Sequence, residues 1–145
     1  MAAVSLSEFA DRLNEILPAI FREYARQHAR IFSRVRLTHQ QFVILHYLNR
    51  EGATKMSDLA RMMSVTTAAM TGLVTRLVRD GYVMRENDPD DRRIVRIALT
   101  PKGSRVARYM DEQGRRTIMD IYGRITQKER EEYLRILSHL KERLK

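Results

Sequence analysis

The residues best suited to chemistry in this 145-residue chain form a ladder of short side chains that ends in basic ones. Helical spacing puts Ala68, Thr71, Gly72, Thr75, Arg76 and Arg79 on one face, and Met70, Leu73, Val74, Leu77 and Val78 on the other. A face that needed only to be wet would favour Glu, Lys and Gln, which are better helix formers. Gly72 costs about 1 kcal/mol against Ala in a helix interior. Short side chains instead let a second surface come close. The major groove of duplex DNA accommodates a helix, and Thr and Ala can touch thymine methyl groups there. A solvated face that is merely Thr-rich is the alternative, and the flanking chain decides between them.

A second candidate follows at residues 87–93, N-D-P-D-D-R-R. Its turn-forming residues lie between two segments of alternating polarity, residues 82–86 and 94–99, so it reads as a hairpin loop. Arg92 and Arg93 at its tip suit a narrow minor groove of strongly negative potential. Taken alone, such a tip is a solvated turn. Directly after the Thr-rich helix, it favours DNA.

Other elements must hold these two. Ser57 is placed to cap a helix whose apolar edge is Leu59, Ala60 and Met63. Ser64 and Val65 then form a tight turn, Thr66 or Thr67 caps the Thr-rich helix, and Gly81 closes it as a left-handed cap. Upstream, Ser5 with Glu8 and Thr38 with Gln41 match capping boxes. The first opens a helix carrying Leu6, Phe9, Leu13, Ile16, Leu17, Ile20 and Tyr24, with an apolar stripe running on to about Ser33. Pro18 predicts a kink or a split in it. The second opens a helix with Phe42, Leu45 and Leu48 inward. Val43, Ile44 and Tyr47 lie off that stripe, which predicts burial on more than one side. Downstream, Thr100-Pro101 starts a long helix reaching about Arg124. Thr126 and Glu129 open a last one, lined by Tyr133, Leu137, Leu140 and Leu144.

This order predicts a mainly α (α+β) fold, a winged helix-turn-helix flanked by N- and C-terminal helices. One helix would enter the major groove while the hairpin reaches the neighbouring backbone or minor groove. At this point the sequence resembles the MarR family of bacterial and archaeal transcriptional regulators. The resemblance covers nearly the whole chain. It rests on Leu37-Thr38 with Gln41-Phe42 and Leu45, on Ser57-Asp58-Leu59-Ala60, and on Leu73-Val74-Thr75-Arg76-Leu77 running into Asp80-Gly81-Tyr82-Val83-Met84-Arg85. Its most specific part is Asp88-Pro89-Asp90-Asp91-Arg92-Arg93 followed by Ala98-Leu99-Thr100-Pro101-Lys102-Gly103.

The resemblance implies residues 1–36 as an N-terminal dimerisation helix, 37–100 as the DNA-binding domain, and 101–145 as C-terminal dimerisation helices. It implies a homodimer on a pseudo-palindromic operator in double-stranded DNA, acting as a repressor. Leu6, Phe9, Leu13, Tyr133, Leu137, Leu140 and Leu144 are indeed too many apolar residues for chain ends left in water. A self-contained helical cap is the alternative. The resemblance also implies that Ser57, Thr66, Thr67, Ala68, Thr71 and Thr75 face DNA, with Arg76 on backbone or a guanine edge. Arg92 and Arg93 would carry the wing contact, with Asp91 bracing Arg93 by an ion pair. Ala68, Ala69 and Gly72 depart from the Ser, Thr or Arg common in the family, so methyl contacts and DNA shape should weigh more. Many members answer to small anionic or phenolic ligands. Tyr24, His28 and His46 are the candidates here, each with a plain packing role as the alternative.

Composition agrees and excludes much. A net charge of +9 and a pI near 10.3 point to a polyanion. There is no cysteine, so disulfides, thiolate metal sites and thiol redox sensing are excluded. No run is long enough for a bilayer, and the N-terminus lacks a basic region followed by an apolar core, so a cytoplasmic protein without a membrane partner is expected. His39 and His46 share a helix face, but no Asp, Glu or Cys nearby in sequence completes a zinc set. The D-x-D-D of residues 88–91 lacks the Gly and distal Glu of a calcium loop. No nucleophile, base and orienting group come together, so no cofactor and no enzyme activity are expected. Two rivals remain: a chromosome-coating protein without sequence preference, and a winged helix that binds only protein.

Overall fold

The computed structural model describes residues 4–144. Its elements in order are α1 (Leu6–Val35), α2 (His39–Glu51), β1 (Thr54–Lys55), α3 (Met56–Met62), α4 (Thr67–Arg79), β2 (Val83–Asn87), β3 (Val95–Leu99), α5 (Pro101–Tyr122) and α6 (Gln127–Arg143). The three strands form an antiparallel sheet in the order β1-β3-β2. The fold is the mainly helical winged helix-turn-helix that the pattern predicts.

Most helix boundaries follow from local chemistry. The Thr38 hydroxyl accepts the Gln41 N–H while the Gln41 side chain accepts the Thr38 N–H, and Thr126 and Glu129 do the same for α6. Half of the box at Ser5 forms. The Ser5 hydroxyl accepts the Glu8 N–H, but the Glu8 carboxylate pairs with Arg12 instead. At the end of α4, the Gly81 N–H reaches Val78 O and the Tyr82 N–H reaches Leu77 O. Gly81 has φ 78°, which only glycine adopts without strain, so this is a Schellman closure.

Two local expectations change. Pro18 lies inside a single helix, α1, so it does not split the segment in two. Ser57 does not cap α3. The cap position is Lys55, which makes no side-chain capping bond, and Ser57 stands in the first helical turn. The reason is β1: Thr54 pairs with Ile97 and Lys55 with Arg96, which fixes where extended chain turns to helix. Two residues are too few to show alternation, so this strand leaves no signal of its own in the sequence.

The chain divides into two compact units, residues 29–113 and the remainder on either side. The first has a continuous core. Ile44, Leu45, Leu59, Met70, Val74, Leu77 and Ile97 are fully enclosed, and Leu48, Val83 and Met110 nearly so. Leu45 and Leu48 of α2 and Met70, Val74 and Leu77 of α4 are inward positions read from the sequence, and Ile44 buries a second side of α2. Gly103, in the first turn of α5, sits where a Cβ would lie 1.9 Å from Tyr82 O. Only glycine lets α5 start so close to the root of β2.

The second unit consists of the N-terminal part of α1, the C-terminal part of α5, and α6. Among its described residues there is no enclosed core of comparable size. Leu6, Phe9, Ile16, Phe21, Ile118, Leu134, Leu137, Leu140 and Leu144 are all exposed on it. An apolar groove of about 460 Å³ is lined there by Ile20, Phe21, Tyr24, Ile118, Tyr122, Tyr133 and Leu137, among others. Residues 1–3 and 145, the ends of the expected dimerisation segments, lie outside the described residues.

Candidate nucleic-acid interface

α4 begins where the Thr66 hydroxyl accepts the Ala69 N–H. Ser64, at φ 53°, makes the preceding turn tight enough to set α4 across α3. Met70, Leu73, Val74 and Leu77 bury one side of α4. Every residue on the other side is exposed: Thr67, Ala68, Thr71, Gly72, Thr75, Arg76 and Arg79. A Cβ on Gly72 would meet nothing within 4 Å, so no packing inside the protein calls for glycine there. The Thr71 hydroxyl donates to Thr67 O at 2.8 Å and the Thr75 hydroxyl to Thr71 O at 2.7 Å. With their protons spent on the helix, these threonines present methyl groups and oxygen lone pairs outward.

The wing is built rather than slack. Asp88, 3% exposed, sits at the start of its loop. One carboxylate oxygen accepts the N–H groups of Asp90 and Asp91 at 2.9 and 3.2 Å, and the other accepts from Arg96 Nε at 2.5 Å. Arg96 also donates to Ala53 O, which ties the wing to the entry of β1. Asp91 holds the Arg93 backbone N–H at 3.0 Å, so it braces Arg93 through the main chain and not through an ion pair. Arg92 and Arg93 themselves are exposed, and no described carboxylate pairs with their guanidinium groups.

The N–H of Asp90, then Arg96, hold the Asp88 carboxyl below the usual aspartate range. A carboxyl whose folded pKa is depressed stabilises the fold above its unfolded value. That contribution is lost as pH falls through the lower, folded value. Asp88→Asn removes the charge while keeping the shape, so it should loosen the wing at neutral pH and weaken DNA binding. An NMR titration of the Asp88 side-chain carbon should give a midpoint below that of ordinary aspartates. A midpoint at or above it would contradict this account of the wing.

Sequence reasoning missed the brace of Asp88 and Arg96. An Asp that accepts the N–H two residues on is a recognised turn device and was the available signal. It also missed Arg85 on β2, whose Nη2 donates to Thr75 Oγ1 at 2.9 Å.

The remaining candidates separate. Tyr24 and His28 stack at 4.2 Å in the unit that holds the apolar groove, and Tyr24 lines that groove. His46 belongs to the other unit. Its Nδ1 lies 2.6 Å from Asp111 Oδ1, Asn49 donates to the same carboxylate, and Phe42 lies against its ring. Among the described residues no cluster of three or more His, Asp or Glu is placed to hold a metal ion. No described helix is long and apolar enough to cross a membrane.

Comparison with known proteins places this geometry. The MarR family model matches residues 37–95, the helix-turn-helix and most of the wing. The homoprotocatechuate degradative operon repressor of Escherichia coli is 32% identical over 122 residues, covering 83% of this chain and 80% of that protein. The uncharacterised HTH-type transcriptional regulator YfiV of Bacillus subtilis is 36% identical over 74 residues, and this match spans 51% of the chain and 46% of YfiV. A solved structure of a MarR family protein from Bacillus stearothermophilus superposes with a TM-score of 0.84 at 26% identity, covering 97% of this chain and 98% of that one.

Proposed function

Since this chain belongs to the MarR family of DNA-binding transcriptional regulators, we propose that it acts as a dimeric repressor in the cytoplasm, gripping a pseudo-palindromic operator. The observation that carries this reading is one exposed helix face of methyls and a glycine, within the same compact unit as a braced wing ending in Arg92 and Arg93. Thr66, Thr67, Ala68, Thr71 and Thr75 face the major groove. Ser57 and Arg76 take flanking phosphates, and Arg76 can also reach a guanine edge. Arg92 and Arg93 reach into the adjacent minor groove.

Residues 1–36 and 101–145 serve dimerisation in this proposal. Its support is the exposed apolar side chains of α1 and α6, which a single copy leaves in water. A small anionic or phenolic ligand would release the operator by preferring a spacing of the two reading helices that the duplex does not fit. Tyr24, His28 and His46 are the residues to test for it, and Tyr24 is supported by its place on the groove. Couplings of about 1–3 kcal/mol are typical of such control.

The net charge of +9 also suits a protein that coats DNA without sequence preference. Selection from a random-sequence duplex pool separates the two readings. A repressor should enrich an inverted repeat and bind it roughly 10³-fold or more above random duplex at equal salt. Equal affinity for both duplexes would favour the coating protein.

A further inference from the structure

We propose that Arg85 is a phosphate-binding residue, set beside the C-terminal half of α4 by the hydroxyl of Thr75. This rests on the reading of α4 as the helix that faces DNA.

Arg85 lies in β2, two residues beyond Val83. Strand alternation gives the two side chains the same face. Val83 is 2% exposed, and β2 packs against α4 on that side. Opposite Arg85 in β3 stands Ile97, fully enclosed. An arginine following buried Val83 on a core-facing side must turn its head outward along the helix surface. It does so: Arg85 is exposed, and its Nη2 donates to Thr75 Oγ1 at 2.9 Å. Thr75 can only accept there, because its own proton goes to Thr71 O.

The neighbouring arginines show what this one lacks. Arg61 pairs with Asp58, Arg79 with Asp80 and Arg96 with Asp88. No described carboxylate pairs with Arg85. Its guanidinium is held by one neutral hydroxyl, which orients the fork but leaves its charge uncompensated and its other N–H groups available to an outside acceptor. The position selects the acceptor. Residues near the N-terminus of a reading helix meet base edges, whereas Arg85 is anchored beside its later turns. A planar donor fork there suits a phosphate on the flank of the groove.

The test titrates the intact chain against two duplexes over a range of salt. One carries the sequence that the wild-type chain enriches from a random pool, and the other is of random sequence. Arg85→Gln should weaken both by a similar factor, roughly tenfold at moderate salt. It should lower the salt slope by about one for each subunit engaged, without changing the enriched sequence. Thr75→Val should weaken binding less, and adding it to Arg85→Gln should cost little more. Thermal melting of each variant identifies loss of fold. An unchanged affinity and slope for Arg85→Gln would overturn the assignment. So would a changed enriched sequence, which would make Arg85 a base reader. So would a lowered melting temperature with an unaltered slope, which would make it a staple between strand and helix. Thr71→Glu in the same titration keeps the failures apart. If that variant binds like wild type, the reading of α4 is wrong; if it loses binding while Arg85→Gln does not, only the role of Arg85 falls.

Discussion

Thr71→Glu should abolish specific DNA binding while leaving the chain folded. Thr71 is exposed in the middle of α4, and its hydroxyl bonds only to a carbonyl of its own helix. Such back-bonding adds little to helix stability, and Glu is the better helix former by a few tenths of a kcal/mol. The fold therefore loses nothing that matters. In the groove the substitution places a carboxylate against a polyanion and fills the space that Thr71 and Gly72 leave open. Unfavourable charge placed at an interface costs several kcal/mol, which corresponds to a loss of roughly a hundredfold or more. Titration of the enriched duplex, with circular dichroism as the control for folding, checks this. A folded variant that binds normally would mean that another surface meets DNA.

The second large effect concerns α6. Leu137→Glu should turn a dimer into single subunits and take most of the operator affinity with it. Leu137 is 41% exposed, and it lines the apolar groove with Phe21, Tyr24, Tyr122 and Tyr133. A carboxylate there costs a single subunit little because water reaches it. Covering the same face with a second copy would strand that charge against apolar surface. Linking two binding modules raises overall affinity by about 10²–10⁴, so separating them should forfeit a comparable factor. Analytical ultracentrifugation reports the first effect and the DNA titration reports the second. A variant that sediments as wild type, or a wild type that sediments as one subunit, would remove α6 from the interface.

What the sequence made legible follows from the range of the interactions involved. The two faces of α4 are readable because side chains three and four apart share a side, whatever lies beyond the helix. The caps at Thr38, Thr126 and Gly81 are readable because each closes within a few residues. Those devices fixed most of the fold. The candidate reading face was visible for the same reason, since exposed Thr71, Gly72 and Thr75 lie on the side opposite Met70 and Leu73.

The features that escaped depend on partners remote in sequence. β1 exists because Thr54 and Lys55 meet Ile97 and Arg96. That pairing moved the start of α3 ahead of Ser57. Arg96 returns from β3 to clasp Asp88, eight positions earlier, and Arg85 crosses from the sheet to Thr75 on the helix. None of these contacts has a local period. Pro18 failed as a breaker for a different reason: one missing donor weighs little within a helix of 30 residues.

The central claim, that α4 and the wing touch one duplex together, can be tested most directly with a tethered DNA-cleaving chelate. The chain has no cysteine, so Thr71→Cys, Arg93→Cys and, as a control on α6, Ser138→Cys each carry the label at a single site. On the enriched duplex, the Thr71 label should cut in the major groove at two clusters about one helical turn apart. The Arg93 label should cut in the minor groove beside each cluster, and the Ser138 label should leave the duplex whole. Cutting from Ser138 with none from Thr71 or Arg93 would contradict the account.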